Sequence, residues 1–324
     1  MIIVTGGSGF IGSAIVWRLN TLGKENIVVV DELGNDEKWK NLVGLRFADF
    51  INKYDFLHMI QTEEINFSVD AIIHMGANSS TTEKDADHLL TNNYEYTKAL
   101  ARYSYDNDVR FIYASSAATY GDGLNGFEDD EEKLSQLRPL NMYGYSKSLF
   151  DIWAKKKGLL EKMVGIKYFN VYGPNETHKG DMRSVVHKAF GQILETGKVK
   201  LFKSLRQDYK DGEQKRDFVY VKDAVDMTLF FLDNPEKNGL YNVGAGKART
   251  WNDLVTAIFK AMDKDVNIEY IGLPQHLAEK YQYFTEANLE KIKKVGYPNK
   301  LFSLEDGVTD YVKNYLLKEK YLEI

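Results

Sequence analysis

Tyr143 and Lys147, four residues apart in the segment MYGYSK, are the side chains of this sequence best suited to proton transfer. Residues at that spacing share one face of a helix. A free phenol has a pKa near about 10 and is no base at neutral pH. An ammonium at about 4–5 Å, in an effective dielectric near 20, stabilises the phenolate by roughly 3–4 kcal/mol, or about two to three pKa units. We therefore predict that a helix presents Tyr143 as an acid/base residue activated by Lys147; an ordinary amphipathic helix is the alternative.

Ser116 is a third candidate for chemistry. In YASSAATYG it follows residues 109–115, an apolar run that is typical of a buried strand. A hydroxyl at the end of a strand is available to hydrogen-bond a reacting oxygen. The spacing of Tyr143 and Lys147 occurs by chance in many helices, but chance rarely combines it with such a serine and a nucleotide-binding loop.

That loop is VTGGSGFIG, which carries Gly6, Gly9 and Gly12 directly after the first predicted strand. Glycine permits a tight turn and a close approach of the backbone to a pyrophosphate. The start of the following helix offers free N–H groups and a partial positive charge. Asp31 ends the second predicted strand, nineteen residues after Gly12. In this context the glycines predict a dinucleotide site rather than only a tight turn.

The type of dinucleotide stays open at this point. Asp31 suits a ribose 2′-hydroxyl and repels a 2′-phosphate. Three lysines, Lys38, Lys40 and Lys53, lie where they could neutralise a phosphate, although a surface lysine is more often a solvated charge. The sequence is therefore compatible with NADP and with NAD.

Alternating strands and helices must position these residues. The apolar runs predict buried parallel strands, and the stretches between them have the period of amphipathic helices. Strand–helix–strand units in series predict an α/β fold, a doubly wound parallel Rossmann sheet. Residues 203–215 are polar and predict a mobile loop. The predicted strands are 1–5, 26–31, 69–74, 109–115 and 164–169, and the predicted helices are 11–22, 53–62, 84–106 and 144–157.

A second, smaller α/β substrate domain is expected after residue 169, where the alternation breaks. Residues 216–223 and 239–244 look like two further strands that return the chain to the first sheet. We therefore predict a dinucleotide-binding domain of residues 1–169 plus about 217–244, and a second, smaller domain of residues 170–216 plus about 245–324, to which the family resemblance given below assigns nucleotide-sugar binding.

Composition narrows the function further. The chain has 324 residues, 44% of them hydrophobic, and a formal charge of −5. An acidic chain is a poor candidate for nucleic-acid binding. There is no cysteine, which excludes disulfides and thiolate metal sites, and the six histidines have no metal-ligand spacing, so we assign no metal. We see no signal peptide and no membrane span, and expect a cytoplasmic protein.

The sequence resembles the extended short-chain dehydrogenase/reductase family along its whole length. The resemblance lies in TGGSGFIG, SSAATYG, YGYSK, YFNVYGP, RDFVYVKD and YNVG. It implies NAD or NADP in the first domain and a nucleotide-sugar in the second. It also implies that Lys147 holds the nicotinamide ribose.

More specific segments resemble the ADP-L-glycero-D-manno-heptose 6-epimerases. They are GANSSTTE, YFNVYGPNETHKGDM, LFKS and KYQYFTEANL. This resemblance implies an isomerase that inverts carbon 6 of an ADP-heptose, a precursor of the lipopolysaccharide core, with NADP as the expected cofactor. It implies a homo-oligomer, commonly a pentamer. By the same resemblance, Tyr143 and Lys179 are the two acid/base residues.

Two such residues have a chemical reason. Hydride removal from carbon 6 gives a flat ketone, and inversion requires the carbonyl end of the sugar to turn over before hydride returns. The oxygen then points to a new place and needs a second proton partner. A lysine serves if burial and nearby cations lower its pKa. The alternative for Lys179 is a clamp on the substrate pyrophosphate.

The resemblance also implies binding residues. Glu32 stands where asparagine is commoner and favours NAD, Asn93 is an alternative to Asn92, and His187 is an alternative to Lys188. The implied cofactor residues are Gly6, Gly9, Phe10, Ile11, Gly12, Asp31, Glu32, Lys38, Lys53, Met75, Gly76, Ala77, Asn78, Ser79, Asn92, Lys147, Val171 and Lys179. The implied substrate residues are Asn170, Asp181, Lys188, Phe202, Lys203, Ser204, Arg216 and Tyr281.

Other functions remain as alternatives. A nucleotide-sugar dehydratase would need an acid beside Ser116, where Ala117 and Ala118 stand. A UDP-hexose 4-epimerase needs no second base at Lys179. A dinucleotide-sensing regulator without turnover would usually lack the pair formed by Tyr143 and Lys147.

Overall fold

The chain folds around a seven-stranded sheet. The structure, a computed structural model, describes residues 1–278, 281–298 and 300–324. The strands of the seven-stranded sheet lie in the order β10-β6-β5-β4-β1-β2-β3, and every neighbouring pair is parallel. In chain order the strands of the described residues are β1 Ile2–Thr5, β2 Ile27–Asp31, β3 Asp49–Asn52, β4 Ala71–His74, β5 Arg110–Ser116, β6 Met163–Tyr168, β7 Asn170–Tyr172, β8 Val199–Phe202, β9 Lys215–Tyr220, β10 Gly239–Val243, β11 Ala248–Thr250 and β12 Ile268–Ile271.

Helices cover both faces of this sheet. In chain order, the α-helices of the described residues, including those outside this sheet, are α1 Phe10–Thr21, α2 Lys53–Gln61, α3 Ala86–Leu89, α4 Tyr96–Asp106, α5 Met142–Lys156, α6 Val185–Thr196, α7 Val221–Asp233, α8 Trp251–Ala261, α9 Gln275–Ala278, α10 Glu290–Lys294 and α11 Leu304–Tyr311. Ile3 packs in one core with Phe56 of α2, whereas its neighbour Val4 packs in the other core with Ile15 of α1. Successive strand residues point to opposite faces, so the sheet needs apolar side chains on both. The predicted doubly wound α/β fold is confirmed.

Two expectations about the sheet and its helices were incomplete. Residues 49–52 add an edge strand, β3, which lacks the apolar run that marked the other strands. The single helix predicted over 84–106 is divided by a π-helical turn at Leu90–Glu95.

The strand predicted over 216–223 was assigned to the wrong sheet. Gly239–Val243 does return to the first sheet, beside β6. Residues Lys215–Tyr220 instead form the middle of a three-stranded sheet between β7 and β11, and Val221 begins α7. Both edges of β6 are paired, one with β5 and the other with β10. Strand β9 lies outside that sheet and pairs with β7, the short strand that follows β6 in the chain. The strands β8 and β12 form a further parallel pair. The division of the chain into two domains stays a prediction.

Candidate active site

A cleft of about 630 Å³ opens at the carboxyl ends of the parallel strands, and a smaller cavity of about 140 Å³ lies beside it. The strand order reverses between β1 and β4, which is where doubly wound sheets bind ligands. The predicted residues Ser116 and Tyr143 lie on the wall of the main cleft. The predicted cofactor residues all lie on these walls: Gly6, Gly9, Phe10, Ile11, Gly12, Asp31, Lys38, Met75, Gly76, Ala77, Ser79, Lys147, Val171 and Lys179 on the main cleft, and Glu32, Lys53, Asn78 and Asn92 on the smaller cavity.

The glycine-rich loop is shaped for close approach of another backbone or a ligand. Gly6 has φ +64°, and a Cβ added there would lie 2.6 Å from the backbone nitrogen of Gly76. At Gly12 an added Cβ would overlap the carbonyl oxygen of Gly6. No side chain caps the start of α1, where Gly9 is the N-cap, so the first N–H groups remain available. This cradle fits the pyrophosphate of a dinucleotide.

Two acid–lysine pairs surround the smaller cavity. Lys38 Nζ lies 3.1 Å from one oxygen of Asp31, and the other oxygen accepts hydrogen bonds from the amide and hydroxyl of Ser8. Lys53 Nζ lies 2.6 Å from Glu32. The hydrogen bond and charge of Lys53 lower the pKa of Glu32. Each carboxylate is thus partly neutralised by its lysine. The smaller cavity is therefore compatible with the ribose 2′-hydroxyl of NAD and with the 2′-phosphate of NADP.

The neighbouring amides Asn92 and Asn93 point to different places. Asn92 lies on the smaller cavity and accepts a hydrogen bond from Lys53 at 3.3 Å. Asn93 is fully buried, where it accepts from the amide of Asn78 at 2.9 Å and donates to Ser146 Oγ at 3.1 Å. The geometry therefore favours Asn92 as the residue that faces a ligand.

Helix α5 brings Tyr143 to Ser116. The side chain of Asn141 caps the helix by accepting the amide of Gly144 at 2.8 Å. A Cβ added at Gly144 would lie 2.7 Å from the carbonyl oxygen of Ala118, so the first turn packs directly on the segment that follows Ser116. The glycine after Tyr143 is what permits this approach.

The pKa of Tyr143 differs from the sequence prediction. Burial raises the pKa of the phenol, and the group that opposes the shift is the Ser116 side chain, not the ammonium of Lys147. A lysine at helical spacing favours the phenolate, but loss of hydration on burial favours the neutral phenol, and residue spacing does not reveal burial. Tyr143 is therefore a neutral phenol in this structure and is suited first to donating a proton.

Lys147 is almost fully buried and its Nζ donates to the carbonyl oxygen of Ala114 at 2.7 Å. Burial lowers its pKa to about 8, and the charge of Asp151 opposes that shift. The lysine consequently keeps its proton at neutral pH and loses it in mildly alkaline solution.

Lys179 reaches the same cleft from a loop on the other side. It lies in the 3-10 turn Thr177–Met182, and its Nζ is 5.3 Å from the centre of the Phe10 ring. Burial lowers its pKa, while the charge of the buried Glu176 opposes the shift. A lowered pKa is what a proton-accepting lysine needs. Burial thus favours the neutral forms of Tyr143 and Lys179, one an acid and the other a base.

The sequence profile of the NAD dependent epimerase/dehydratase family matches residues 2–244. This match spans the glycine-rich loop, Ser116, the Tyr143–Lys147 helix and the loop of Lys179. The chain belongs to this family. Its cofactor is therefore a nicotinamide dinucleotide, and the chain is an epimerase, which is an isomerase.

Relatives within the family share a specific name. An ADP-L-glycero-D-manno-heptose-6-epimerase from Nitratidesulfovibrio vulgaris is 56% identical over 316 residues, which cover 98% of each chain. One from Fusobacterium nucleatum is 49% identical and covers 98% of this chain and 99% of the relative. The crystal structure of the Helicobacter pylori ADP-L-glycero-D-manno-heptose-6-epimerase matches with a TM-score of 0.80 at 30% identity, and covers 97% of this chain and 95% of that one. The resemblance stated from the sequence is confirmed.

Among this epimerase's predicted substrate residues, Asn170 lies on the cleft wall and Arg216 lies behind it. Arg216 is 7% exposed, and its guanidinium packs 5.6 Å from the ring centre of Trp251, which lines the cleft, and 5.5 Å from that of Tyr281. It donates to the main-chain carbonyls of Lys215 and Gln282. Burial lowers the pKa of Arg216 to about 10.

The structure does not bring the remaining predicted substrate residues onto the cleft wall. The ring centres of Phe202 and Tyr281 lie 6.5 Å apart, and the amide of Ser204 donates to Asp211 at 2.8 Å. The others, Asp181, Lys188 and Lys203, are exposed. His187, the alternative to Lys188, is half-buried and also lies outside the cleft lining.

Several residues on the wall were absent from the prediction. Trp251 and Phe218 come from α8 and β9, and Arg183, Ser184 and His178 come from the loop around Lys179 and the start of α6. A signal existed for one of them: Ser184 precedes the apolar run of α6, and its side chain caps that helix. The others reach the cleft only through tertiary packing.

Across the described part of the chain, no cluster of three or more His, Asp or Glu side chains could hold a metal ion. Among the same residues, no helix has the length and apolar character needed to cross a membrane.

Proposed function

We propose that this epimerase converts ADP-D-glycero-D-manno-heptose into ADP-L-glycero-D-manno-heptose, a precursor of the lipopolysaccharide core, with NADP as its resident cofactor. The observation that carries the proposal is the pair of proton-transfer side chains, Tyr143 and Lys179, on the walls of one cleft. The names of relatives up to 56% identical support the substrate.

The glycine-rich loop and Lys147 would hold the cofactor, which when bound would supply reversible hydride acceptance at carbon 6. Inversion requires the carbonyl end of the sugar to turn over between the two hydride transfers. The oxygen on carbon 6 therefore loses a proton in one position and gains a proton in another, and the protein needs a proton-transfer group at each. One side chain cannot reach both positions. Tyr143 on α5 and Lys179 on the facing loop supply the two.

Tyr143 and its neighbours form one proton site. Ser116 lies beside the phenol and orients the reacting oxygen by hydrogen bonding. Lys147, held on the carbonyl of Ala114 at 2.7 Å, offers its remaining N–H groups to the nicotinamide ribose. Its charge stabilises Tyr143 when the phenol has given up its proton.

Lys179 forms the other proton site. Its lowered pKa favours the neutral amine, so Lys179 accepts the hydroxyl proton of one epimer, and the neutral phenol of Tyr143 donates its proton to the ketone oxygen in its other position. One turnover then leaves an ammonium on Lys179 and a phenolate on Tyr143, and proton exchange with solvent water restores both neutral forms before the next turnover. The roles reverse for the reverse reaction. The alternative, a clamp on the substrate pyrophosphate, is separated from this role by the kinetics of a Lys179 variant.

The cofactor preference rests on the two acid–lysine pairs. Lys38 and Lys53 can turn from Asp31 and Glu32 toward a 2′-phosphate, which supports NADP. Glu32 works against it, because a carboxylate close to a phosphate costs energy. We propose NADP with appreciable use of NAD.

Arg216 is proposed to bind the substrate pyrophosphate. A guanidinium has five N–H donors in a fork that matches phosphate oxygens. Its position behind Trp251 means that the aromatic side chains next to it move when the ADP group binds. The remaining predicted substrate residues on β8 and the following loop would approach in the same movement.

Incubation with ADP-D-glycero-D-manno-heptose, followed by proton NMR of the sugar, tests the function. We expect the signals of the L-glycero epimer to grow to an equilibrium mixture. Turnover of UDP-glucose with no change in the heptose would instead assign the chain to a different nucleotide-sugar epimerase. Binding of cofactor with no turnover of any nucleotide-sugar would favour the regulator.

Two further proposals concern the protein in the cell. Nicotinamide cofactors and nucleotide-activated sugars are cytoplasmic metabolites, which supports a cytoplasmic location. We also propose a homo-oligomer, a pentamer by family resemblance. Light scattering during size-exclusion chromatography would give its mass.

A further inference from the structure

A fully buried ion pair lies one helical turn beyond Lys147, outside the walls of the cleft. Asp151 is 0% exposed and Lys167 1% exposed, and the carboxylate and ammonium are 2.7 Å apart. Asp151 continues the face of α5 that carries Tyr143 and Lys147, because the three residues are spaced by four. The reaction described above uses neither member of the pair.

Every oxygen of Asp151 has hydrogen-bond donors. Oδ1 accepts from the hydroxyl of Tyr113 at 2.9 Å, and Oδ2 accepts from Ser115 Oγ and Lys167 Nζ, each at 2.7 Å. Lys167 also donates to Thr119 Oγ1 at 2.8 Å. Burying two charges removes their hydration, and this free-energy cost can exceed their mutual attraction. Apolar residues of similar volume often give equal stability. Stability alone is therefore a weak reason for this pair.

The network holds the residues on both sides of Ser116. Ser115 precedes Ser116 and donates directly to Asp151. Thr119, which accepts from Lys167, donates to the carbonyl oxygen of Ser116 at 2.8 Å. Lys147 is fixed to the same strand through the carbonyl of Ala114. The end of β5 is thus tied to α5 through residues on both sides of Ser116 and through Lys147, and Tyr143 lies one turn before Lys147 on the same helix.

We propose that Asp151, paired with Lys167, is a positioning residue for the epimerase reaction: it sets the register of α5 against the ends of β5 and β6, so that Ser116, Tyr143 and Lys147 converge on one oxygen. The inference rests on the proposed function of these three residues. A displacement of about 1 Å at a catalytic group can cost about 100-fold in rate, so small changes in this register matter.

The same carboxylate acts on the charge of Lys147. The titratable groups around the two are Lys167 on β6, Tyr113 on β5, Tyr120 in the turn after β5, His74 on β4, and Tyr143 on the same helix. Burial raises the pKa of Tyr120, so this phenol is neutral. Burial lowers the pKa of His74, and burial raises that of Tyr113, so both are neutral at neutral pH. Asp151 opposes the lowering of the Lys147 pKa by burial. Activity requires protonated Lys147, so it falls as pH rises through about 8, and removal of the Asp151 charge moves that fall to lower pH.

The experiment compares Asp151→Asn, Lys167→Met and the double variant Asp151→Leu/Lys167→Met with a matched control. Asp310→Asn is that control, because Asp310 likewise accepts from a lysine and a tyrosine, Lys222 and Tyr220, each at 2.7 Å, and none of these three residues lines the cleft. For each purified protein we would measure the melting temperature, kcat and KM over pH, and the pH dependence of NADP binding by intrinsic fluorescence.

We expect Asp151→Asn to lower kcat by about 100-fold with little change in KM, and to move the alkaline fall to lower pH. The double variant should melt close to the wild type and still have the low kcat, whereas Asp310→Asn should change only the melting temperature. If Asp151→Asn does not fold, the double variant carries the test.

A double variant with wild-type kcat and pH profile would overturn the proposal, because the pair would then be structural only. Wild-type protein that does not turn over the ADP-heptose would contradict the proposed function instead. In that case the pH dependence of NADP binding still tests the link between Asp151 and Lys147: an identical dependence in wild type and Asp151→Asn would overturn it.

Discussion

The two walls of the cleft are built in different ways. The wall with the glycine-rich loop and α5 consists of strand ends and helix starts, and it holds the predicted cofactor residues other than Val171 and Lys179. The opposite wall consists of the loop of Lys179, the start of α6, and side chains from β9 and α8. Adjacent strand ends and helix starts fix the positions proposed to hold the cofactor and one proton partner, whereas the proposed substrate side is assembled from segments distant in sequence. Mutations on the first wall should therefore lower kcat. Mutations on the second wall should lower kcat at some positions and raise KM at others.

Tyr143→Phe should give the largest effect. Loss of the phenolic hydroxyl removes one proton site and should lower kcat by about 10³-fold, with NADP still bound. The measurement is epimer conversion by NMR together with the cofactor content of the purified protein. Tyr145→Phe, on the same helix but 47% exposed, is the control and should be fully active. Nearly normal turnover in Tyr143→Phe would remove Tyr143 from the mechanism.

Lys179→Met should lower kcat by about 10²-fold, because the second proton site is lost while the side-chain volume is kept. Kinetics with each epimer measure it, and Lys200→Met, on the exposed side of β8, is the control. A variant with a raised KM and unchanged kcat would instead identify Lys179 as a pyrophosphate clamp. In that case the first wall would carry the proton transfer and the second wall would only bind substrate.

Arg216→Leu should raise KM by about tenfold or more with a small change in kcat, since a charge-assisted hydrogen bond to phosphate contributes about 1.5–3 kcal/mol. Steady-state kinetics with the ADP-heptose would measure this. Arg46→Leu, at an exposed pair with Glu25, should leave KM unchanged. An equal fall in kcat and kcat/KM would show that Arg216 acts in the transition state rather than in substrate binding. It would then contradict the expected difference between the two walls.

Glu32→Asn should give the smallest effect, a shift of about fivefold toward NADP over NAD, because one partly exposed carboxylate near the 2′-phosphate is removed. Dissociation constants for both cofactors measure it. Asp49→Asn, on the neighbouring edge strand β3, is an exposed control that should not shift the preference. A shift toward NAD would show that Glu32 acts mainly by holding Lys53.

The sequence predicted the first wall well and the second poorly, for a physical reason. Gly6, Gly12 and the Tyr143–Lys147 spacing are local signals, because turns and helices fix the geometry within a few residues. Trp251 and Arg183 reach the cleft through packing of segments that are distant in sequence, which no local pattern encodes. The predicted sheet of β9 was wrong for the same reason. Which strands pair along the edges of β6 depends on segments distant in sequence, and these edges pair with β5 and β10.

The pKa of Tyr143 shows a second limit. Helical spacing places Tyr143 and Lys147 on one face of α5, yet burial raises the pKa of Tyr143, and the group that opposes the shift is the Ser116 side chain rather than Lys147. The extent of burial depends on the whole fold around α5. Residue types and spacing thus lead to a proposal of which groups exchange protons, but they do not indicate which protonation form each group prefers.

Conversion of ADP-heptose labelled with deuterium at carbon 6, in ordinary water, tests the central claim most directly. If the hydrogen leaves and returns as hydride within one closed cleft, mass spectrometry should find the product epimer with its deuterium fully retained. Loss of the label to water in step with epimerisation would mean that carbon 6 exchanges a proton, and would contradict the proposed roles of Tyr143, Lys179 and the nicotinamide site.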